Sequence, residues 1–101
     1  MISRMWHGRV PTVKAKAYRE FLMKRATPDY RSIEGNNQVY ILERHEGEVT
    51  HFIMLTFWDS LESVRGFAGE EVERAKYYPE DKDFLLEFEP NVIHYEVVGH
   101  S

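Results

Sequence analysis

Five histidines, six tyrosines and two tryptophans carry the proton-transfer and stacking chemistry open to a chain with no cysteine. Zero Cys removes thiolate nucleophiles, disulfides, Cys-type zinc sites and iron–sulfur clusters together. His7, in Arg4-Met5-Trp6-His7-Gly8, and His94, in Ile93-His94-Tyr95, are the candidate proton acceptors. Imidazole changes charge near neutral pH, which suits it to that task, although a satisfied core or interface histidine is the plainer alternative for each. Tyr77 and Tyr78 precede Pro79, on a connection able to close over a pocket mouth. Their phenols can donate to or accept from a substrate oxygen, and simple packing is the competing reading. Trp6 and Trp58 either line a cavity or fill the core. His45 and His51 flank a hairpin, but no third ligand stands at a defined spacing from them, so no metal site is expected. His100 carries no assignment. Gly-rich phosphate loops and HExxH are missing. Arg4, Arg9 and Arg65 could meet an acidic substrate, yet the 17 Asp and Glu residues offer internal partners. Glu70-Glu71-Val72-Glu73-Arg74 and Glu80-Asp81-Lys82-Asp83 read as solvated, mixed-charge surface.

These residues must be positioned by a small frame. A chain of 101 residues supports one domain, residues 1–101, because a second core would have too little to build it. With 43% hydrophobic and 30% charged residues it is of ordinary globular composition. A formal charge of −4 supplies no cationic surface for nucleic acid. No segment approaches the ~20 apolar residues of a bilayer span. Nor does the N-terminus resemble a signal peptide, so the cytoplasm is the expected location.

The order of elements is β-α-β-β-α-β. Residues 2–10 form a strand that ends at Pro11, and Thr12 is placed to cap a helix. Tyr18, Phe21, Leu22 and Arg25 fall on one face of that helix, which should stop before Pro28. After the turn Glu34-Gly35-Asn36-Asn37 come a strand from Gln38 to Arg44, the hairpin loop His45-Glu46-Gly47-Glu48 and a strand from Val49 to Trp58. Asp59 with Glu62 suggests a capping-box start to a second helix, which Gly69 ends or kinks. A short helix over Glu70–Tyr77, an irregular Pro79–Phe88 and a closing strand over Asn91–Val98 complete the reading. This is the signature of an α+β, ferredoxin-like sandwich with both helices on one face of a four-stranded antiparallel sheet.

The third strand is apolar on both faces, with Ile53, Leu55 and Phe57 on one and Phe52, Met54 and Trp58 on the other. Helices can cover only one face, and a solvated second face should alternate with polar residues. A homodimer packed sheet to sheet is the expected solution.

The run Phe57-Trp58-Asp59-Ser60-Leu61-Glu62-Ser63-Val64-Arg65-Gly66-Phe67 resembles the aromatic-Trp-x-Ser segment of the antibiotic biosynthesis monooxygenase (ABM) family, whose members are dimeric α/β barrels of ferredoxin-like protomers. The first strand, Phe67-Ala68-Gly69-Glu70, Tyr77-Tyr78-Pro79-Glu80 and His94-Tyr95-Glu96-Val97 extend the likeness over essentially the whole chain. The resemblance implies a cofactor-independent, monooxygenase-like enzyme acting on an aromatic or quinol-type small molecule, with no metal or cofactor. His7 would accept the proton, His94 or Tyr77 would assist, and Trp6, Trp58, Met54, Tyr78 and Phe67 would shape the pocket. Met54 stands where oxygenases of the family place an Asn. Haem-degrading members use an Asn, a Trp and a His where this chain has His7 nearby, Phe67 and Lys76-Tyr77, so the likeness points away from haem degradation. The alternatives are a non-catalytic small-molecule-binding or stress-associated dimer, and an isomerase or decarboxylase on the same scaffold. Polar groups converging inside the pocket would favour an enzyme; a lining of Met, Phe and Trp alone would favour binding or packing.

Overall fold

The computed structural model describes residues 1–101. Strand β1 (Ile2–Pro11) lies at the centre of an antiparallel sheet between β3 (Val49–Trp58) and β4 (Ile93–Glu96), with β2 (Asn36–Glu46) outside β3, giving the order β2-β3-β1-β4. β2 and β3 meet in a two-residue hairpin at Gly47-Glu48, where Gly47 takes φ +62°. The loop is shorter than the four residues expected, because both strands pair out to Glu46 and Val49.

The first helical segment departs from the sequence reading. A 3₁₀ turn (Thr12–Lys14) leads into α1 (Ala15–Phe21), a π-helical turn (Leu22–Ala26) and α2 (Thr27–Arg31) without a break. Pro28 does not stop the helix: it follows directly on the π-helical turn, as the second residue of α2. Thr12 does not cap either, for its hydroxyl donates to the Gly47 carbonyl and shares a hydrogen bond with Thr50. Helix α3 (Leu61–Ala68) is capped by Ser60 rather than Asp59, the Ser60 hydroxyl accepting from the Ser63 N–H. Gly69, at φ +87°, ends it. The helix expected over 70–77 is absent; between α3 and β4 only a 3₁₀ turn (Pro79–Asp83) and an Arg74–Asn91 bridge are regular.

Side chains on a strand alternate between faces, and burial shows which face meets the helices. On β1 it is Arg4, Trp6, Gly8 and Val10; on β3 it is Thr50, Phe52, Met54, Thr56 and Trp58. Tyr18, Leu22, Ala26 and Tyr30 from the first helical segment and Val64 and Phe67 from α3 complete the core. Each large apolar side chain buried here contributes about 1.5–3 kcal/mol. The opposite face carries Ser3, Met5, His7, Ile53, Leu55 and Phe57, flanked by Tyr40, Leu42, Ile93 and Tyr95, which are 42–56% exposed. No helix of this structure is long and apolar enough to cross a membrane.

Candidate active site

Between the sheet and the helices lies a narrow cavity. Trp6 and Met54 form its floor, Tyr18, Leu22, Ala26 and Tyr30 one wall, and Lys76, Tyr78 and Asp81 the other. Its free space is about 10 Å³, room for one water molecule. Gly8 allows Trp6 to take this place, since a Cβ there would come within 2.6 Å of the indole ring.

The polar groups converge at Asp81. Its Oδ1 accepts from the Tyr18 hydroxyl at 2.8 Å, and its Oδ2 from the Tyr78 backbone N–H at 2.7 Å. Asp81 is 2% exposed, and burial raises its pKa against the pull of those two bonds. A carboxylate held in this way is a proton acceptor of increased basicity. Its two accepted bonds leave each oxygen one free lone pair. Around it the phenols are held as neutral donors. Burial and the Asp81 charge push Tyr18 far up, burial with the Asp29 bond does the same to Tyr78, and burial pushes Tyr30 to about 12.

Asp29, on α2, fastens the irregular wall to the helices. Its Oδ2 accepts from the Tyr78 hydroxyl at 2.6 Å and from Lys76 Nζ at 3.2 Å. Burial opposes ionisation of Asp29, but those bonds and the positive charges of Lys76 and Arg25 outweigh it and hold the carboxyl below the usual range. Lys76 also lies 4.2 Å from the centre of the Phe67 ring.

The residues predicted from sequence are divided between several places. Trp6, Met54 and Tyr78 line the cavity. Trp58 does not: it is fully buried in the core beside Tyr30 and Phe67, with its indole N–H satisfied by Thr56 at 2.8 Å. Phe67 stacks on Tyr30 at 4.1 Å, behind the cavity wall. Tyr77 packs on Trp6 and Phe88 and donates to the Glu89 carbonyl at 2.5 Å, away from the lining.

His7 and His94 are not brought together. His94 stands opposite Arg4 on β4, whereas His7 alternates to the other face of the sheet, so the two imidazoles are separated by the sheet itself. Burial and the neighbouring Arg4 charge lower the pKa of His94. His7 instead joins a chain of hydrogen bonds across the second face. Glu89 Oε2 meets His7 Nδ1 at 2.5 Å, His7 Nε2 meets His51 Nδ1 at 2.9 Å, and His51 Nε2 meets Glu46 Oε1 at 2.9 Å. The chain thus links the two imidazoles to each other and to a carboxyl group at either end.

Asp81 is the residue that sequence reasoning missed. It sits in a charge run that resembles solvated surface, but it is the third residue of a turn begun by Pro79, and its carboxylate caps that turn. Tyr-Tyr-Pro-Glu-Asp is therefore a capping signal in which the acid turns inward.

No protein-family model matches this chain, and no curated protein matches it in sequence. Solved structures do match. One is a mutant of MhuD crystallised with two manganese protoporphyrin IX molecules per active site; it is 16% identical over 100% of this chain and 98% of its own, with a TM-score of 0.64. Another is a putative antibiotic biosynthesis monooxygenase from Bacillus cereus, 15% identical over 99% of this chain and 93% of its own, with a TM-score of 0.56. At these identities the likeness establishes the architecture, a ferredoxin-like α+β fold, which is the architecture the ABM resemblance implies.

Proposed function

We propose that this chain is a monooxygenase-like enzyme acting on an aromatic or quinol-type small molecule bound between sheet and helices. The observation that carries the reading is the convergence of a buried, basic carboxylate and neutral phenols on an otherwise apolar cavity. Asp81 takes the proton of an acidified C–H or O–H group, and Tyr18 and Tyr78 hold the carboxylate in place for it. The Tyr18 and Tyr78 hydroxyls are committed to Asp81 and Asp29, so Tyr30, protonated at neutral pH, is the donor that can stabilise the substrate anion. The anion is then the reductant. For an aryl methylene, the carbon gives up two hydrogens and takes one oxygen atom of O₂ to become a carbonyl, and the second oxygen leaves with those hydrogens as water. Asp81 replaces His7 as the proton acceptor, because His7 faces away from the cavity.

The manganese porphyrin of the MhuD structure is not carried over. No imidazole or thiolate lines the cavity, Lys76 is bound to Asp29, and the tyrosines are held protonated, so no group is free to act as an axial ligand. The largely apolar lining supports a second reading, a ligand-binding dimer without catalysis, and in either reading the walls must part to admit an aromatic ring, because the free space holds one water molecule. Dissolved-oxygen consumption over a panel of anthrones and hydroquinones separates the two. Uptake that falls at least tenfold in Asp81→Asn supports the enzyme, and uptake at the buffer rate throughout the panel rejects it.

The apolar second face supports a homodimer packed sheet to sheet, with Met5, Ile53, Leu55 and Phe57 at its centre. Size-exclusion chromatography with light scattering at micromolar concentration tests it, and a monomer mass refutes it.

A further inference from the structure

Arg4 has no counter-ion. Arg9, Arg19, Arg25, Arg44, Arg65 and Arg74 each pair with a carboxylate, so the acidic residues do supply internal partners, as composition suggests. Arg4 and Arg31 are the exceptions, but Arg31 is exposed and bonds to Asn36, whereas Arg4 is buried. Its side chain projects from the central strand into the sheet–helix layer and is 0% exposed. Its guanidinium makes one hydrogen bond, Nη2 to the Arg74 carbonyl at 3.3 Å, while Nε and Nη1 are buried with no partner. Phe67 lies under it, 5.4 Å from Cζ to the ring centre, and Tyr30 and Tyr78, both cavity-lining residues, are its neighbours. Two further buried nitrogens of this face also lack partners, Trp6 Nε1 and His94 Nε2.

An isolated charge removed from water is among the most costly things a fold can contain, and buried arginines are ordinarily paired. A charge kept here, next to the cavity and short of acceptors, is arranged for an anion that arrives with the ligand. We propose that Arg4 is an anion-binding residue, and that the ligand is an aromatic molecule bearing an anionic oxygen, carboxylate or phenolate. That oxygen approaches the free Nε–H and Nη1–H, with Tyr30 beside it. The proposal rests on the reading of the cavity as an aromatic site and adds the charge of what enters it. It also gives the reaction a fixed cation next to the substrate anion that Asp81 produces.

Calorimetric titration of the intact protein with naphthoate and with naphthamide, its neutral analogue, tests the idea. Charge-assisted hydrogen bonds of about 1.5–3 kcal/mol predict that wild type prefers naphthoate by ~10-fold or more. Arg4→Met should abolish that preference. Equal binding of acid and amide by wild type overturns the anion proposal and leaves the aromatic cavity standing. If neither naphthalene binds, acetate decides: a saturable shift of the Arg4 Nε–H resonance keeps the anion site and rejects the aromatic one, and no shift rejects both. Para-nitrophenol separates the two oxygen sources, because its visible absorbance reports whether the bound form is phenolate. The wild-type arms hold even if Arg4→Met fails to fold.

Discussion

Replacing Asp81 by Asn removes the charge from the cavity while keeping the shape of the side chain. The amide oxygen can still accept from the Tyr78 N–H, but the amide nitrogen then faces the Tyr18 hydroxyl, which loses an acceptor. Below the pH range in which Asp81 ionises, the variant should therefore be weaker by about 1 kcal/mol, the value of one ordinary hydrogen bond. The sign of the pH dependence follows from the burial of Asp81. Its folded-state pKa lies above the unfolded value of 3.8, so in the interval between the two the native state holds a proton that the unfolded state has released. Stability from this group is thus greatest below 3.8 and declines as pH rises through the folded-state value. Each tenfold difference in proton affinity is worth about 1.4 kcal/mol. The stability difference, wild type minus Asp81→Asn, should accordingly shrink or reverse on going from acid to neutral pH. Urea unfolding of both proteins at intervals between about pH 3 and 8 measures it, and other titrating groups cancel in the difference. A difference that is constant over the range, or that grows with pH, refutes the account of Asp81 as a buried, basic carboxylate. Asp81→Ala is the harsher control: orphaning the Tyr18 and Tyr78 donors should cost about 2–6 kcal/mol, a large part of what a domain this size possesses.

Asp29→Asn should free the Tyr78 and Lys76 side of the cavity and cost about 1 kcal/mol at neutral pH, a modest value because the carboxylate is partly solvated. The folded-state pKa of Asp29 is lowered, so this contribution is present above 3.8 and lost as pH falls through the folded value; amide exchange over residues 76–81 should quicken, and unchanged exchange contradicts the clamp. Arg4→Met removes a desolvation cost of several kcal/mol against a cation–π contact of about 2 and one long hydrogen bond of about 1, so the ligand-free protein should gain roughly 1 kcal/mol. Thermal unfolding checks this, and a fall of several degrees would show that Arg4 is structural. Leu55→Glu, at the centre of the second sheet face, should convert the proposed dimer to a folded monomer by light scattering; a dimer of unchanged mass shows that this face is not the interface.

Much of the frame could be read from the chain because it is written in local patterns. Alternation gave the faces of β3 correctly, and Gly47 marked the hairpin that it turns. Pro28 misled because a π-helical turn, with Leu22 and Ala26 buried, carries the helix past it, an adjustment invisible to propensity. The site was less legible. His7 and Trp6 are neighbours in sequence, and for that reason occupy opposite faces of a strand, so an assignment placing both in one pocket could not hold. The pairing of His94 with Arg4 depends on register, which no single strand specifies. Asp81 and Asp29 derive their importance from contacts 47 to 63 residues away along the chain, beyond the reach of any motif.

The central claim is that the cavity between sheet and helices oxygenates its ligand with Asp81 as proton acceptor. Incubating the protein with anthrone under heavy-oxygen-labelled dioxygen, with mass spectrometry of the product, tests it most directly. The account predicts one labelled oxygen atom in the quinone carbonyl, one O₂ consumed per product molecule, and a rate at least tenfold lower in Asp81→Asn. Unlabelled or uncatalysed product, or the wild-type rate in Asp81→Asn, would contradict it.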